Sequence, residues 1–435
     1  MDDVIGPVAR ATGVGLPTVF VVLQILSLAL LASAALAIAR VLYRHQWSAV
    51  GLLAALTLRH AISKSGTNTL EGYFHPRQLA FAIGALAVAS FLRGNRGTTW
   101  LLVALAGALH PTTALWFAIW LGVATIVGEP RRRLPMIAGV AIAALAGAWG
   151  FYAGPLAGRL VVMDPVWLET LASKDYLFPL RWPVAAWLVN LGYIPLIVWI
   201  YRRRRADGLL VPRETAGVVG CLSLVLVFAA TLPFNAMRVA LAIQLQPARI
   251  FWMLDLLAVV YVVWVAAEGR FARSTRSGIT DARRARLVAL LIAILAAARG
   301  AYIMLVEFPD RRVAQITIAD DDWGRAMAWA RASEPGSGWL ANPDHAARYG
   351  SSVRVAAERD VYVEAIKDGA VGMYDRGVAI RTRDRVEALG DFMTLTPEHA
   401  RLIARQYDLD YLVTEGRLDL PLAFSSGAIR VYRLK

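Results

Sequence analysis

The sequence predicts a polytopic α-helical membrane protein carrying a small C-terminal α/β domain. Three observations predict it. The 435 residues are 57% hydrophobic and only 18% charged. The apolar residues come in blocks near the length of ~20 residues that crosses a hydrocarbon core. Those blocks recur from Leu16 to about Phe308 and then stop, after which charged and apolar residues alternate as in a water-exposed domain. Two domains follow, a transmembrane domain over 1–307 and an α/β domain over 308–435.

Charge separates the two parts further. The first 308 residues hold 28 Lys+Arg against 13 Asp+Glu, and the last 127 hold 18 against 19, so the net +14 belongs to the membrane part. Arginines of this kind sit in loops for topology rather than in a groove for phosphates, which argues against nucleic acid as a partner. The single cysteine, Cys221, falls in an apolar segment, so the chain forms no internal disulfide. The first apolar block is long and lacks a basic region before it, which is not the pattern of a cleavable signal peptide.

Taken in order, ten apolar segments are read at 16–39, 47–59, 77–92, 98–109, 112–127, 134–152, 183–201, 214–232, 249–268 and 285–307. Arg40/Arg44, Arg93/Arg96, Arg131 to Arg133, Arg202 to Arg205 with Arg213, and the set from Arg270 to Arg286 fall in alternate connections. The positive-inside bias makes these cytoplasmic. It places the N-terminus, loops 60–76, 153–182 and 233–248, and the C-terminal domain outside.

With arginines on one side both before and after 98–127, the chain must cross twice there or not at all, so His110-Pro111 is read as the apex of a helical hairpin. Its arms are short of the hydrocarbon thickness, as are 47–59 and 77–92. The apex and the polar piece 60–77 therefore lie below the outer surface. Polar, non-helical backbone is tolerated there only where it faces protein or a water-filled cavity. In the C-terminal domain, Asp320-Asp321-Asp322 opens a helix to about Ala332, with the acidic run suiting the helix dipole better than a metal. Strands are expected at Gly338–Ala341, Val353–Ala356, Asp410–Thr414 and Ala428–Arg433, and a helix starts at Thr396-Pro397.

Several groups carry chemistry. Glu71, His75 and Arg77 put a carboxylate suited to base work beside cations suited to a phosphate. His110, Thr112 and Thr113 stand at the start of a helix, where free N–H groups favour an anion. Arg238, Gln244, Gln246 and Arg249 precede a spanning helix, and the spacing of Gln246 and Arg249 would let them share one helical face. Loop 153–182 offers Asp164, Glu169, Lys174, Asp175 and Arg181 among Trp167, Tyr176, Phe178 and Trp182. Asp255 and Arg299 lie at similar depth and are expected to form a structural intramembrane pair, because an isolated charge there is costly. No internal repeat, Gly-rich nucleotide loop or Cys/His metal spacing is found.

F-H-P-R-Q-L-A at 74–80, A-L-H-P at 108–111, L-Q-P-A-R at 245–249, and a C-terminal domain ending in D-Y-L-V and V-Y-R-L carry a resemblance over nearly the whole chain. With short helices in its N-terminal half, the chain resembles polytopic bacterial glycosyltransferases of the GT-C superfamily type. That resemblance implies transfer of a sugar from a polyprenyl-phosphate donor to an acceptor outside the cytoplasm, in the bacterial inner membrane, with an acidic residue of the first outer loop as base or metal ligand. A divalent metal is thereby left open, and membrane lipid, the lipid-linked sugar donor and an unidentified extracytoplasmic acceptor become the expected partners. On this basis Glu71, with Asp175 in reserve, is the expected base, and Arg77, Arg249 and His110 are expected to hold the phosphate. The chain departs from the pattern in starting outside with Met1-Asp2-Asp3, without the helix and acidic loop that normally come first. A truncated start, Asp2/Asp3 as the remnant of that loop, and a lost carboxylate are the alternatives. A transporter or lipid flippase and a non-catalytic scaffold are the competing readings; inverted repeats would mark the transporter.

Overall fold

The computed structural model describes residues 2–129, 131, 133–154, 157–158, 160–269, 278–309 and 317–435. Arg132, Arg270, Arg273 and Arg276, counted above among the loop arginines, lie outside the described residues. The chain forms two compact units, one of Met1–Val162 with Asp175–Val313 and one of Met163–Lys174 with Ala314–Lys435. The boundary expected at 307/308 thus falls a few residues later, and a piece of loop 153–182 folds with the second unit.

The first unit is helical: α1 (Asp2–Thr12), α2 (Leu16–Leu42), α3 (Gln46–Thr57), a short hairpin of β1 (Ala61–Ile62) and β2 (Thr67–Asn68), α4 (Pro76–Arg93), α5 (Arg96–Leu109), α6 (Pro111–Gly128) and α7 (Arg133–Tyr152). After α8 (Pro165–Glu169), which belongs to the second unit, come α9 (Val184–Ala206), α10 (Glu214–Ala236), α11 (Ala240–Gln244), α12 (Ile250–Glu268) and α13 (Gly278–Tyr302). All ten apolar segments are helical. Among the described residues, six stretches are long and apolar enough to cross a membrane: Leu16–Leu42, Pro111–Gly128, Val184–Ala206, Glu214–Ala236, Ala240–Glu268 and Asp281–Glu307. Gln46–Thr57 and Arg96–Leu109 are apolar but shorter.

Burial ranks these helices. In Ala240–Glu268, 72% of the most apolar window is buried, against 6% in Asp281–Glu307. The former is central and the latter peripheral, with Leu287, Leu291, Ile294 and Leu295 exposed. α4 is buried almost throughout from Gln78 to Phe91 and packs on α2, α5 and α6. Phe81 of α4 stacks on Trp252 of α12 with ring centroids 3.9 Å apart. The α6–α10 contact is closer still: a Cβ on Gly220 would lie 2.3 Å from the Trp120 carbonyl oxygen, and the Trp120 indole N–H donates to the Gly217 carbonyl at 2.7 Å.

Three carboxylates organise the ends of these helices that carry the arginines. Glu214 accepts from Arg204 Nε at 2.5 Å and from the Tyr261 hydroxyl at 2.9 Å, and Arg204 is 1% exposed with its guanidinium 4.7 Å from the Trp264 ring. Glu129 accepts from Arg96 at 2.6 Å and Arg213 at 2.9 Å. Glu268 accepts from the Arg44 and His45 backbone N–H groups and the Ser48 hydroxyl, holding the start of α3.

In the second unit α14 (Asp322–Ala332), β3 (Gly338–Leu340), α15 (His345–Tyr349), α16 (Val353–Ala356), β4 (Asp360–Val361), α17 (Ala365–Gly372), α18 (Arg376–Leu389), α19 (Pro397–Tyr407), β5 (Tyr411–Thr414), β6 (Leu422–Ser426) and β7 (Ile429–Arg433) build a five-stranded sheet of order β4-β3-β5-β7-β6. β3 is parallel to β4 and β5, and β7 is antiparallel to β5 and β6. One face of the sheet packs against α14 and α16 through Trp339, Val413 and Val431, the other against α18 and α19 through Leu340, Leu412 and Tyr432. Val353–Ala356, expected as a strand, is a helical turn instead: the Ser352 hydroxyl accepts from the Val355 N–H and caps it. β4 and β6 were not expected. Asp321 caps α14 by accepting from the Gly324 N–H at 2.7 Å, and Asp322 accepts from the Ser426 hydroxyl and Ala428 N–H, so the acidic run ties α14 to β6 and β7. Thr396 caps α19 with Pro397 in its first turn.

Loop 153–182 is divided. Asp164 pairs with Arg376, and the Trp167 indole N–H donates to the Gly372 carbonyl, both within the second unit. Asp175, Arg181 and Trp182 stay with the first. Trp182 packs against Trp187, Phe228 and Phe251 as core.

Two outcomes follow. Gly220→Ala must push α6 from α10 and should cost about 1–3 kcal/mol, read as a lower unfolding temperature in detergent. In the second unit, His345 is fully buried, and the structure fits Nδ1–H donating to the Asn342 carbonyl at 2.7 Å while Nε2 accepts from the Val353 N–H at 3.2 Å. Burial pushes its imidazole below the ordinary range. Its contribution is complete above about pH 6.5 and is lost as pH falls through the lowered folded value. The hydrogen-exchange protection factor of the Val353 amide should therefore fall on acidification.

Candidate functional site

Two helices of the first unit begin with the same device. α4 starts at Pro76 after His75 (φ −136°, ψ 131°), and α6 starts at Pro111 after His110 (φ −151°, ψ 93°). Proline removes a backbone donor and drives the preceding residue out of helical geometry, so each histidine stands at the cap. His75 Nδ1 accepts from the Arg77 N–H at 3.3 Å. His110 Nδ1 accepts from the Thr113 N–H at 3.2 Å and meets the Thr112 and Thr113 hydroxyls at 3.1 and 2.9 Å. A neutral ring that accepts at Nδ1 carries its proton on Nε2, assigned here from the hydrogen-bond pattern. The two rings lie 6.4 Å apart, edge to face.

Arg77 and Glu71 stand beside them. Glu71 Oε1 accepts from Arg77 Nη2 at 2.7 Å and Nε at 3.2 Å, and its Oε2 from Asn68 Nδ2 at 3.2 Å. The Glu71 side chain is 2% exposed and that of Arg77 12%. Gln24 of α2 donates to the Glu71 backbone carbonyl at 2.9 Å. His110 is within electrostatic reach of both Arg249 and Arg77. Glu71, His75, Arg77, His110, Thr112 and Arg249 are thus drawn together from the loop before α4, the starts of α4 and α6, and the turn before α12. The arrangement combines two N-termini of 18-residue helices with two guanidinium groups and one carboxylate, which favours an anion.

Gln246 and Arg249 do not share a helical face. Gln246 adopts φ 51°, Pro247 opens a single 3-10 turn, and α12 starts only at Ile250. Pro247 disfavours right-handed helical geometry at Gln246, which is left-handed here rather than extended as His75 and His110 are. Both side chains are buried. Sequence reasoning passed over Gln78, next to Arg77: it is fully buried, and neither amide atom finds a partner among the described residues.

Other expected residues lie apart from this group. Asp175 forms an ion pair with Lys64, so the reserve carboxylate is already engaged. Arg238 is exposed beyond the end of α10 with φ 59°. The expected Asp255–Arg299 pair is corrected. Asp255 Oδ1 meets His60 Nε2 at 2.9 Å and accepts from the Tyr193 hydroxyl at 2.9 Å, while Arg299 donates to the Arg59 carbonyl. The loop between α3 and α4 reaches Asp255 first and supplies an imidazole, and the arginine is used to hold that loop. Among the described residues no group of three or more His, Cys, Asp or Glu is placed to hold a metal ion.

The buried Glu71–Arg77 pair gives a direct test. Arg77→Met strands the carboxylate and should cost about 3–5 kcal/mol, and adding Glu71→Gln should recover much of that; thermal unfolding of both single variants and the double variant measures the coupling. In comparison with known proteins, no protein-family model and no curated protein matches the chain.

Proposed function

We propose that the chain is a membrane-embedded glycosyltransferase of GT-C type that takes a sugar from a polyprenyl-phosphate donor and passes it to an extracytoplasmic acceptor. The observation that carries this reading is the edge-to-face approach of the His75 and His110 caps beside the half-buried Arg77, with Arg249 near enough to act on His110 electrostatically. A phosphate linked to an apolar tail needs N–H donors and cations inside otherwise apolar surroundings, and this group supplies both. Six apolar helices would hold the tail's environment. The arginine-rich connections would face the cytoplasm. Residues 163–174, in the loop between α7 and α9, fold with the second unit, so the side assigned to that loop is assigned to the unit as well.

On this reading Glu71 is held by Arg77 until the donor phosphate competes for the guanidinium. The carboxylate then becomes available to take the proton from an acceptor hydroxyl, and the phosphate leaves as an anion held by Arg77, Arg249 and the two imidazole Nε2–H groups. A second reading, a non-catalytic protein that binds the lipid phosphate, is favoured by one observation: Glu71 and Asp175, the two candidate bases, are both ion-paired.

Reconstituted protein should bind a polyprenyl phosphate and not the matching polyprenol, and His110→Ala should weaken binding about 10- to 100-fold, as loss of a hydrogen bond to a charged group does. Equal binding of the two lipids overturns both readings. Sugar transfer that disappears in Glu71→Gln while lipid binding persists supports the enzyme; binding without transfer in the unsubstituted protein supports the second reading.

A further inference from the structure

We infer that the second unit carries a binding site for a neutral saccharide in the crevice at the carboxyl ends of β3 and β5. The inference does not rest on the sugar-transfer reading, which concerns the other unit. The strand order places it. From β3 the chain passes through α15 and α16 to β4 on one side, then returns through α17, α18 and α19 on the opposite face to β5 on the other side of β3. The connections that leave β3 and β4 run over opposite faces, so the strand order reverses at β3, and open α/β sheets bind ligands beside the carboxyl ends of the strands at such a reversal.

The crevice is a shallow one that opens to solvent, and its volume reaches about 510 Å³ only when the open space at its mouth is included. Its lining includes Asn342 just after β3, Thr414 and Glu415 at the end of β5, Trp323 from the start of α14, and Arg348 and Tyr349 from α15. Trp323 and Tyr349 stack with centroids 4.3 Å apart and planes within 14°. Glu415 is fixed from both sides, accepting from Arg348 Nη2 at 2.5 Å and from the Tyr349 hydroxyl at 2.8 Å.

These groups select the ligand class. The carboxylate of Glu415 offsets the charge of Arg348, which disfavours both a phosphate and a cation. The Asn342 and Thr414 oxygens already accept from the Asp344 and Gly416 N–H groups, so an apolar ligand would strand the Asn342 amide NH2 and the Thr414 hydroxyl proton without water. A sugar ring has a C–H face for an aromatic surface and hydroxyls that both donate and accept. The pre-oriented carboxylate, guanidinium, amide and hydroxyl of this crevice offer the matching partners beside the half-buried Tyr349 ring, which the buried Trp323 backs.

The test uses the full chain in lipid nanodiscs. Saturation-transfer NMR is recorded with methyl glucoside, methyl galactoside, methyl mannoside and N-acetylglucosamine as probes, and inorganic phosphate as competitor. At least one sugar should receive saturation. Asn342→Ala and Thr414→Val should each weaken its binding about tenfold, whereas Thr414→Ser, which keeps the hydroxyl, should retain it. His110→Ala should leave it unchanged, which separates this site from the membrane-embedded one. No transfer to any of the four sugars, transfer insensitive to Asn342→Ala and Thr414→Val in protein that unfolds at the unsubstituted temperature, or displacement of the sugar by phosphate overturns the inference.

Discussion

The first unit depends on how the amide groups at two helix starts are satisfied in apolar surroundings. A helix leaves its first N–H groups without intrahelical partners, and where water is scarce each such donor is costly. Pro76 and Pro111 each remove one donor, and the Nδ1 atoms of His75 and His110 accept another. The same choice turns both Nε2–H groups outward from the cap. A solution to a backbone problem thereby produces a pair of side-chain donors, 6.4 Å between ring centres, where the helix dipoles point.

The packing of α4, α6, α10 and α12 holds those starts in place. α4 is buried around nearly its whole circumference, and Phe81 joins it to the central α12 through Trp252. Gly220 lets α10 approach the Trp120 carbonyl more closely than any side chain would permit. Away from the histidines, Glu214 and Glu129 collect Arg204, Arg96 and Arg213 into buried or half-buried pairs. Arginines expected to mark the cytoplasmic side thus tie helix ends together, a role on which the sequence pattern is silent, because the partner of Arg96 lies 33 positions away.

The candidate site was legible in part. Glu71, His75 and Arg77 fall within seven residues, so any compact turn brings them near one another, and His110 announces itself as a polar interruption before a proline. The partner of Asp255 was not legible. Depth along a helix pointed to Arg299, but depth ignores the connecting loops, and His60, 195 positions earlier, occupies the carboxylate. In loop 153–182 composition suggested one cluster of aromatics and acids, whereas hydrogen bonds send Trp167 to one unit and hydrophobic packing sends Trp182 to the other.

By itself the sequence determined the helical segments, the breaks at His75-Pro76 and His110-Pro111, the presence of a second, sheet-containing unit, the helix start at the acidic run 320–322 and the cap at Thr396. These follow from hydropathy, proline geometry and short-range hydrogen bonding, whose causes lie within a few residues. Tertiary structure decided which helices are central, that the His75 and His110 rings meet, that Asp255 meets His60 and Tyr193, and that β3 and β5 lie side by side with a crevice at their ends. Those outcomes depend on which distant surfaces pack together, and packing energy is spread over many contacts that no local pattern records.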